Sequence, residues 1–354
     1  MCHSPFNRCT NKTKTLVKRT LTQAFAALLV VACAGVPVSA LGQTNTFEMP
    51  MLGVRLPLAQ FKLVNQVPRS RLSKLPKGLP VFRQASSPQD FATNELQRLL
   101  DQSVFSGTNM ASLLRGRASL ASLDGPIRLA TSNHMDYFFV DTVAGSISYA
   151  THDLGVNLRI ETPDYDSIPN FDAMLGKVLH YATSFGVNTN DLERKDDGSL
   201  FMRRTDDKTV SRGGAVKFIS RRSLTVARSL AGYPLLASNH KVELALGVKG
   251  RLLKFELIWP DLDVVRTNRL LSMDQMMSNI KKGQVLADMT TQYPADGVVE
   301  IALKDYRVFY YLPETRNFRP IGNQDIVPII SFHAVLKSKS GKTEDGGLLT
   351  PLIE

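Results

Sequence analysis

Serine catalysis needs a hydroxyl beside a positioned base, an acid that orients the base, and usually glycines that let the nucleophile sit on a strained turn. No serine of this chain has that setting: Ser146 follows Gly145 in a turn, and Ser238 lies near His240 with no acid placed to orient the imidazole. Paired carboxylates occur at Asp206-Asp207, and at Asp261 and Asp263 just after Trp259-Pro260. The second pair suits sugar binding, with Trp259 as stacking platform, in a hydrolase or carbohydrate-active enzyme; the competing reading is a polar turn after a buried strand. If the chain folds back symmetrically about Val143, His134 faces His152 across a hairpin, with Asp136 on the same side as His134. Two imidazoles and a carboxylate are zinc-ligand types. That register leaves a fourth donor, Asp153, unplaced, so the three are read as exposed strand-end residues. No metal, cofactor or catalytic residue is therefore expected, and His180 and His333 are read as fold residues.

The compartment comes from the first forty residues. All three cysteines, Cys2, Cys9 and Cys33, fall there, and Arg8, Lys12, Lys14, Lys18 and Arg19 precede the apolar run Ala24 to Val36 without one acid. Small residues around Ala40 complete the pattern of an export signal. The run is shorter than the ~20 residues that a bilayer core requires, and no later segment is apolar enough, so no transmembrane span is expected. Cleavage after Val38-Ser39-Ala40 gives a soluble periplasmic or extracellular protein. The alternative is lipid attachment at Cys33, because Val30-Val31-Ala32-Cys33 resembles a bacterial lipobox. After cleavage no thiol remains, so stability must come from burial.

Charge narrows the partners. Removing the five leader cations from a net charge of +11 leaves +6, unevenly spread: Met51 to Gln89 holds seven cations and no acid, and Arg203 to Arg228 is again basic. Such runs suit an anionic envelope polymer, a lipid headgroup or an acidic protein. They lack the interleaved aromatics of a base-stacking platform, so nucleic acid is not expected.

Five segments follow from periodicity and punctuation: a signal peptide at 1–40, a proline-rich basic arm at 41–88, an α+β unit at 89–165, a second, larger α+β unit at 166–337, and a glycine-rich mobile tail at 338–354. Prolines 50, 57, 68, 76 and 80 exclude a helix from the arm's interior, yet its persistent apolar residues predict short strands packed on the body. Ser86-Ser87-Pro88 predicts one helix start and the spacing of Phe171, Met174, Val178 and Ala182 a second helix ending at Gly186. Ser272 with Gln275 predicts a capping box on a third. Val298 to Tyr311 reads as a strand with a bulge near Asp305, and Ile326 to Leu336 as a last strand that Pro328 pushes toward a sheet edge or a bulge. Ser132-Asn133-His134 and Ser238-Asn239-His240 each precede a strand and a glycine turn, a repeat that either duplication of one α+β unit or a chance match of short strings explains. The fold class is α+β, two helix-on-antiparallel-sheet units.

The hairpin Tyr137-Phe138-Phe139-Val140-Asp141-Thr142-Val143-Ala144-Gly145-Ser146-Ile147 resembles the closing element of PepSY domains, where a strand ends in Val-Asp and glycine follows four residues after the aspartate. Ser272-Met273-Asp274-Gln275 is similar to the start of such a unit, although Met276 and Met277 stand where small residues are usual. The resemblance covers two short stretches. It implies a small module of exported propeptides and envelope regulatory proteins that holds or restrains a partner, and it carries over no catalytic residue.

The expected function is thus an exported, non-catalytic envelope protein that binds a protein or peptide partner. An exposed edge, with Ile326, Ile330 and Phe332 on it, or the hairpin Met135 to Ala150, would accept an extended strand. Arg69, Arg71, Arg221 and Arg222 would add attraction to an anionic surface. A third reading is a passive component of a surface assembly. The sequence sets no oligomeric state.

Overall fold

The computed structural model describes residues 53–55, 61–118, 126–151, 167–210, 216–236, 240–288, 296–312 and 325–353. In chain order they form β1 (Gly53–Arg55), β2 (Lys62–Asn65), α1 (Arg69–Leu72), β3 (Gly78–Gln84), α2 (Thr93–Asp101), α3 (Met110–Ala118), β4 (Ile127–Ala130), β5 (Tyr137–Asp141) and β6 (Ser146–Ala150). After α4 (Phe171–Ser184) come β7 (Met202–Val210), β8 (Val216–Ala227), β9 (Ser229–Leu230), β10 (Tyr233–Leu236), β11 (Lys241–Leu246), β12 (Leu252–Ile258) and β13 (Leu262–Arg269). The chain ends with α5 (Met273–Lys281), β14 (Leu286–Asp288), β15 (Val298–Tyr311), β16 (Asp325–Ser338) and β17 (Thr343–Pro351). The class is α+β with two sheets that are mainly antiparallel.

The first sheet has seven antiparallel strands in the order β4-β5-β6-β12-β11-β8-β7. Strand alternation sends Phe138, Ile147, Leu224, Leu244 and Phe255 to one face. There α2, α3 and α4 cover them with Leu96, Leu99, Met110, Met174 and Val178. Helix α4 starts where the Asn170 side chain accepts a bond from the Ala173 amide, and stops at Gly186, whose φ of 85° is the left-handed conformation of a helix end. Helix α2 starts at Thr93, later than Pro88 suggests, because residues 85–92 are used to cross from one sheet to the other.

The second sheet follows the path β1-β14-β17-β16-β15-β10-β9, with β2 parallel to β15 and β3 joining β16 to β13. Its core is Ile301, Leu303, Ile330, Phe332, Leu336 and Leu348 under Met276 and Ile280 of α5. The Ser272 capping box is present, and the β15–β16 register shifts between Leu303 and Asp305, the bulge expected there. The arm contributes β1, β2 and β3 and therefore belongs to this sheet.

Three expectations are corrected. Strand β16 is no edge: it pairs with β15 from Val327 onward and, on its other side, with β17 over Ile329–Lys337 and with β3 at Asp325 and Ile326, and Ile326, Ile330 and Phe332 are at most 1 % exposed. Pro328 falls between the stretch paired with β3, Asp325–Ile326, and the stretch paired with β17, which starts at Ile329, so no ladder bond is asked of it on that flank. The segment expected as a mobile tail is β17, held between β14 and β16. A break at 165/166 does not divide the sheets either, since β6 pairs with β12 across it.

The hairpin β5–β6 is likewise internal, flanked by β4 and β12. Its register is Tyr137 opposite Ala150 and Asp141 opposite Ser146, one residue away from symmetry about Val143. The reason is a four-residue loop, in which Asp141 Oδ1 accepts bonds from the Val143 and Ala144 amides and Gly145 takes a φ of 57°. A side chain at position 145 would stand 2.5 Å from Pro260 Cα, so glycine is needed for space as well as for torsion.

Candidate binding groove

The face of the seven-stranded sheet opposite its helices is open and polar. Register fixes two rows across it: Arg203, Thr225, Glu243, Glu256, Ser148 and Phe139, and beside them Thr205, Ser223, Ala245, Lys254, Ala150 and Tyr137. Glu243 and Glu256 are directly opposed, a pairing that repels unless cations intervene. They do: Lys241 Nζ lies 2.8 Å from Glu243 and 2.9 Å from Glu256, and Lys254 Nζ 3.0 and 3.1 Å from the same two carboxylates. Burial alone would raise the Glu243 carboxyl, but the two ammonium groups outweigh it and hold it below the usual carboxylate range.

Two depressions lie along this face. One encloses about 720 Å³ between the β7–β8–β11 floor and a wall of Phe309, Tyr311 and Leu236 from the second sheet. The other, about 460 Å³, is bordered by Met135, Tyr137 and Lys254. Arg221, Ser223 and Glu243 line both, so they form one groove. It runs from β7 to β5, five strand intervals or about 24 Å. Each end presents large apolar side chains to solvent, Phe201 at 41 % on one and Met135 at 47 % with Tyr137 at 40 % on the other. Cations and acids balance, Arg203, Arg221, Lys241 and Lys254 against Glu193, Asp207, Glu243 and Glu256. Burial pushes the Glu193 carboxyl up, partly opposed by Arg203.

No protein-family model, curated protein or solved structure matches the chain. Function must therefore be read from these side chains.

The cationic candidates separate. Arg221 forms an ion pair with Asp207 in the groove floor. Arg222 pairs with Asp206 at 3.1 Å and donates to the carbonyls of Ile168 and Pro169, which fixes the entry to α4. The two halves of the acidic pair Asp206-Asp207 are thus the partners of the two arginines, and neither arginine is a free anion receptor. Arg71 lies 2.9 Å from Asp305 and over the Tyr306 ring, while Arg69 is exposed on α1.

The imidazole candidates do not converge. His134 is exposed in a turn with a φ of 56°, Asp136 accepts a bond from Thr151, and His152, Asp153, Ser238 and Cys33 lie outside the described residues. Among the described residues no cluster of metal-ligating side chains occurs. His180 is exposed on α4 and His333 faces Asp345 at 3.3 Å on the surface.

Trp259 is 4 % exposed, with the Arg228 guanidinium 4.8 Å from the ring centroid, so it offers no stacking face; Asp261 and Asp263 are exposed beyond it. Beside this indole the described chain passes from one sheet to the other at 85–92, 228 and 259–261, and His240 opens the return into the seven-stranded sheet. The passages are tied together. Ala85 N donates to Asp261 O, Arg228 N to His240 O, and Arg228 Nη1 to Pro260 O at 2.6 Å. Three buried side-chain atoms have no partner among the described residues, Gln89 Oε1, Arg228 Nε and His240 Nδ1, and all three belong to this crossing. Burial lowers Arg228 to about 10 and, with Arg228 adding repulsion, His240 to about 3.

Sequence reasoning missed Glu193, Phe201, Lys241, Glu243, Lys254 and Glu256. The signal was present in two runs, Lys241-Val242-Glu243-Leu244 and Lys254-Phe255-Glu256-Leu257, where charge alternates with apolar residues at the strand period.

Proposed function

We propose that the chain is an exported, non-catalytic cell-envelope protein that holds an extended protein or peptide segment across the open face of its seven-stranded sheet. One observation carries the reading: a groove about 24 Å long with a charge-balanced floor and exposed apolar side chains at both ends. Its length accommodates about seven residues of extended chain. The floor's ion pairs are already made, so a polyanion gains little there; a peptide gains hydrogen bonds to Thr205, Ser223 and Thr225 and apolar anchors at Phe201 and Tyr137. The PepSY resemblance of the β5–β6 hairpin points the same way, because those modules hold or restrain a partner. Export rests on the leader, and no helix among the described residues is long and apolar enough to cross a membrane.

The test is selection of a random peptide display library on the purified full chain, followed by calorimetric titration of the enriched peptides. Phe201→Ala and Tyr137→Ala should each weaken binding about tenfold or more, the loss of a buried aromatic anchor. Val264→Ala, at an exposed position outside the groove, should not change it. Peptides that bind all three variants alike would defeat the reading. Export is tested separately by mass spectrometry of the mature N-terminus.

A further inference from the structure

A separate depression of about 930 Å³ lies where the segment after α1 meets the end of β13 and the start of α5. That volume is within the range of small-molecule sites. Half-buried Leu72, Leu75, Pro76 and Met273 wall it, and its charged lining residues are Lys77 and Arg269, with no acid. The β3–β13 register brings these two together, since Arg269 is opposite Gly78. Three cations of the acid-free run that holds Lys77 are neutralised, Lys62 by Glu300, Arg71 by Asp305 and Arg83 by Asp325, while Arg69 and Lys74 are exposed on and just after α1 and do not line the depression. Lys77 and Arg269 are exposed and have no carboxylate partner among the described residues.

Ser272 Oγ accepts from the Gln275 amide, and Gln275 Oε1 accepts from the Ser272 amide, so the side-chain acceptors of the lining are engaged in the helix cap and the groups left over are donors, which suit an anion. What remains is an aliphatic and thioether wall with two positive charges at its rim. This combination complements one chemistry, a flexible apolar chain ending in an anion.

We propose that this depression is a lipid site, in which an acyl chain lies against Leu72, Leu75, Pro76 and Met273 while an acidic headgroup meets Lys77 and Arg269. The protein then rests on an anionic membrane surface by this end, independently of the peptide groove. The test titrates the full chain with dihexanoyl phosphatidylglycerol below its micelle concentration, and in parallel with dihexanoyl phosphatidylcholine and with dextran sulfate. The glycerol lipid should bind at least tenfold tighter than the choline lipid. The double variant Lys77→Gln/Arg269→Gln should lose about thirtyfold for the glycerol lipid, the weight of two cations at an anionic headgroup, with no change in melting temperature. Leu75→Gln should weaken both lipids, with Met273→Gln in its place if Leu75→Gln does not fold. Equal affinity for both lipids, no binding of either, or dextran sulfate binding as tight as the lipid and indifferent to the apolar substitution would each overturn the proposal.

Discussion

Individual residues in this chain take their meaning from partners that are distant in sequence. Arg221 and Arg222 were legible as a basic patch and Asp206-Asp207 as a carboxylate pair, yet they pair with one another across the β7–β8 ladder. The hairpin that joins them was not recognised, and without its register the four charges read as two unrelated features. His240 is a sharper case. Beside Ser238 it reads as a feeble catalytic base, whereas it is 2 % exposed and next to Arg228, with Asp191 and Asp261 acting on that guanidinium. Its folded pKa of about 3 lies below the 6.5 of an open chain, for burial first and for Arg228 second. Above pH 6.5 both states are neutral and nothing is lost. As pH falls from 6.5 toward 3 the unfolded chain takes a proton that the folded one refuses, and stability drops by about 1.4 kcal/mol per pH unit at steepest. Urea midpoints measured at pH 7, 5 and 4 should fall accordingly. His240→Phe should flatten that decline; an unchanged slope in the variant would place the acid sensitivity elsewhere.

At the scale of elements, local signals found what local physics determines. The α4 stripe, the Ser272 capping box and the β15 bulge follow from spacing and end-group chemistry, and all three are present. Pairing was less accessible. Pro328 marks an edge only if nothing else flanks the strand, and β16 is paired on both sides by its neighbours in the chain, β15 and β17. Strand β17 escaped notice because Thr343 to Gly347 is polar and glycine-rich, with only Leu348, Leu349 and Thr350 fully buried. Gly346 and Gly347 sit opposite Ala334 and His333, a pairing that periodicity does not reveal. The consequence is measurable. Leu348 is 0 % exposed in the core of the second sheet, so Leu348→Ala should cost about 2–5 kcal/mol in urea unfolding. Glu344→Ala, on the half of the strand with no buried side chain, should cost less than about 0.5 kcal/mol. A mobile tail would make both substitutions neutral.

On the scale of the whole molecule, all described residues belong to one compact unit, Phe47–Glu354, yet they build separate cores on separate sheets. What joins the cores is the crossing beside Trp259, and the groove depends on it, because its floor is one sheet and its wall, Phe309 and Tyr311, is the other. Arg228 is the side chain that spans the crossing. It donates to Pro260 O, covers the indole, and carries a buried charge that is held without a carboxylate in contact among the described residues. Arg228→Ala removes a charge-assisted bond and a cation–π contact, offset by relief of a desolvated cation, for a net cost of about 2 kcal/mol. Because that cost falls on the tie and not on either core, calorimetry should show one melting transition for the parent chain and two for the variant. Hydrogen exchange should then rise at residues 85, 228 and 259 while the amides of Leu244 and Ile330, in the centres of the two sheets, stay protected. A variant that still melts in one step, with exchange raised uniformly, would mean that the sheets are coupled through their packing surfaces and that the crossing carries none of it.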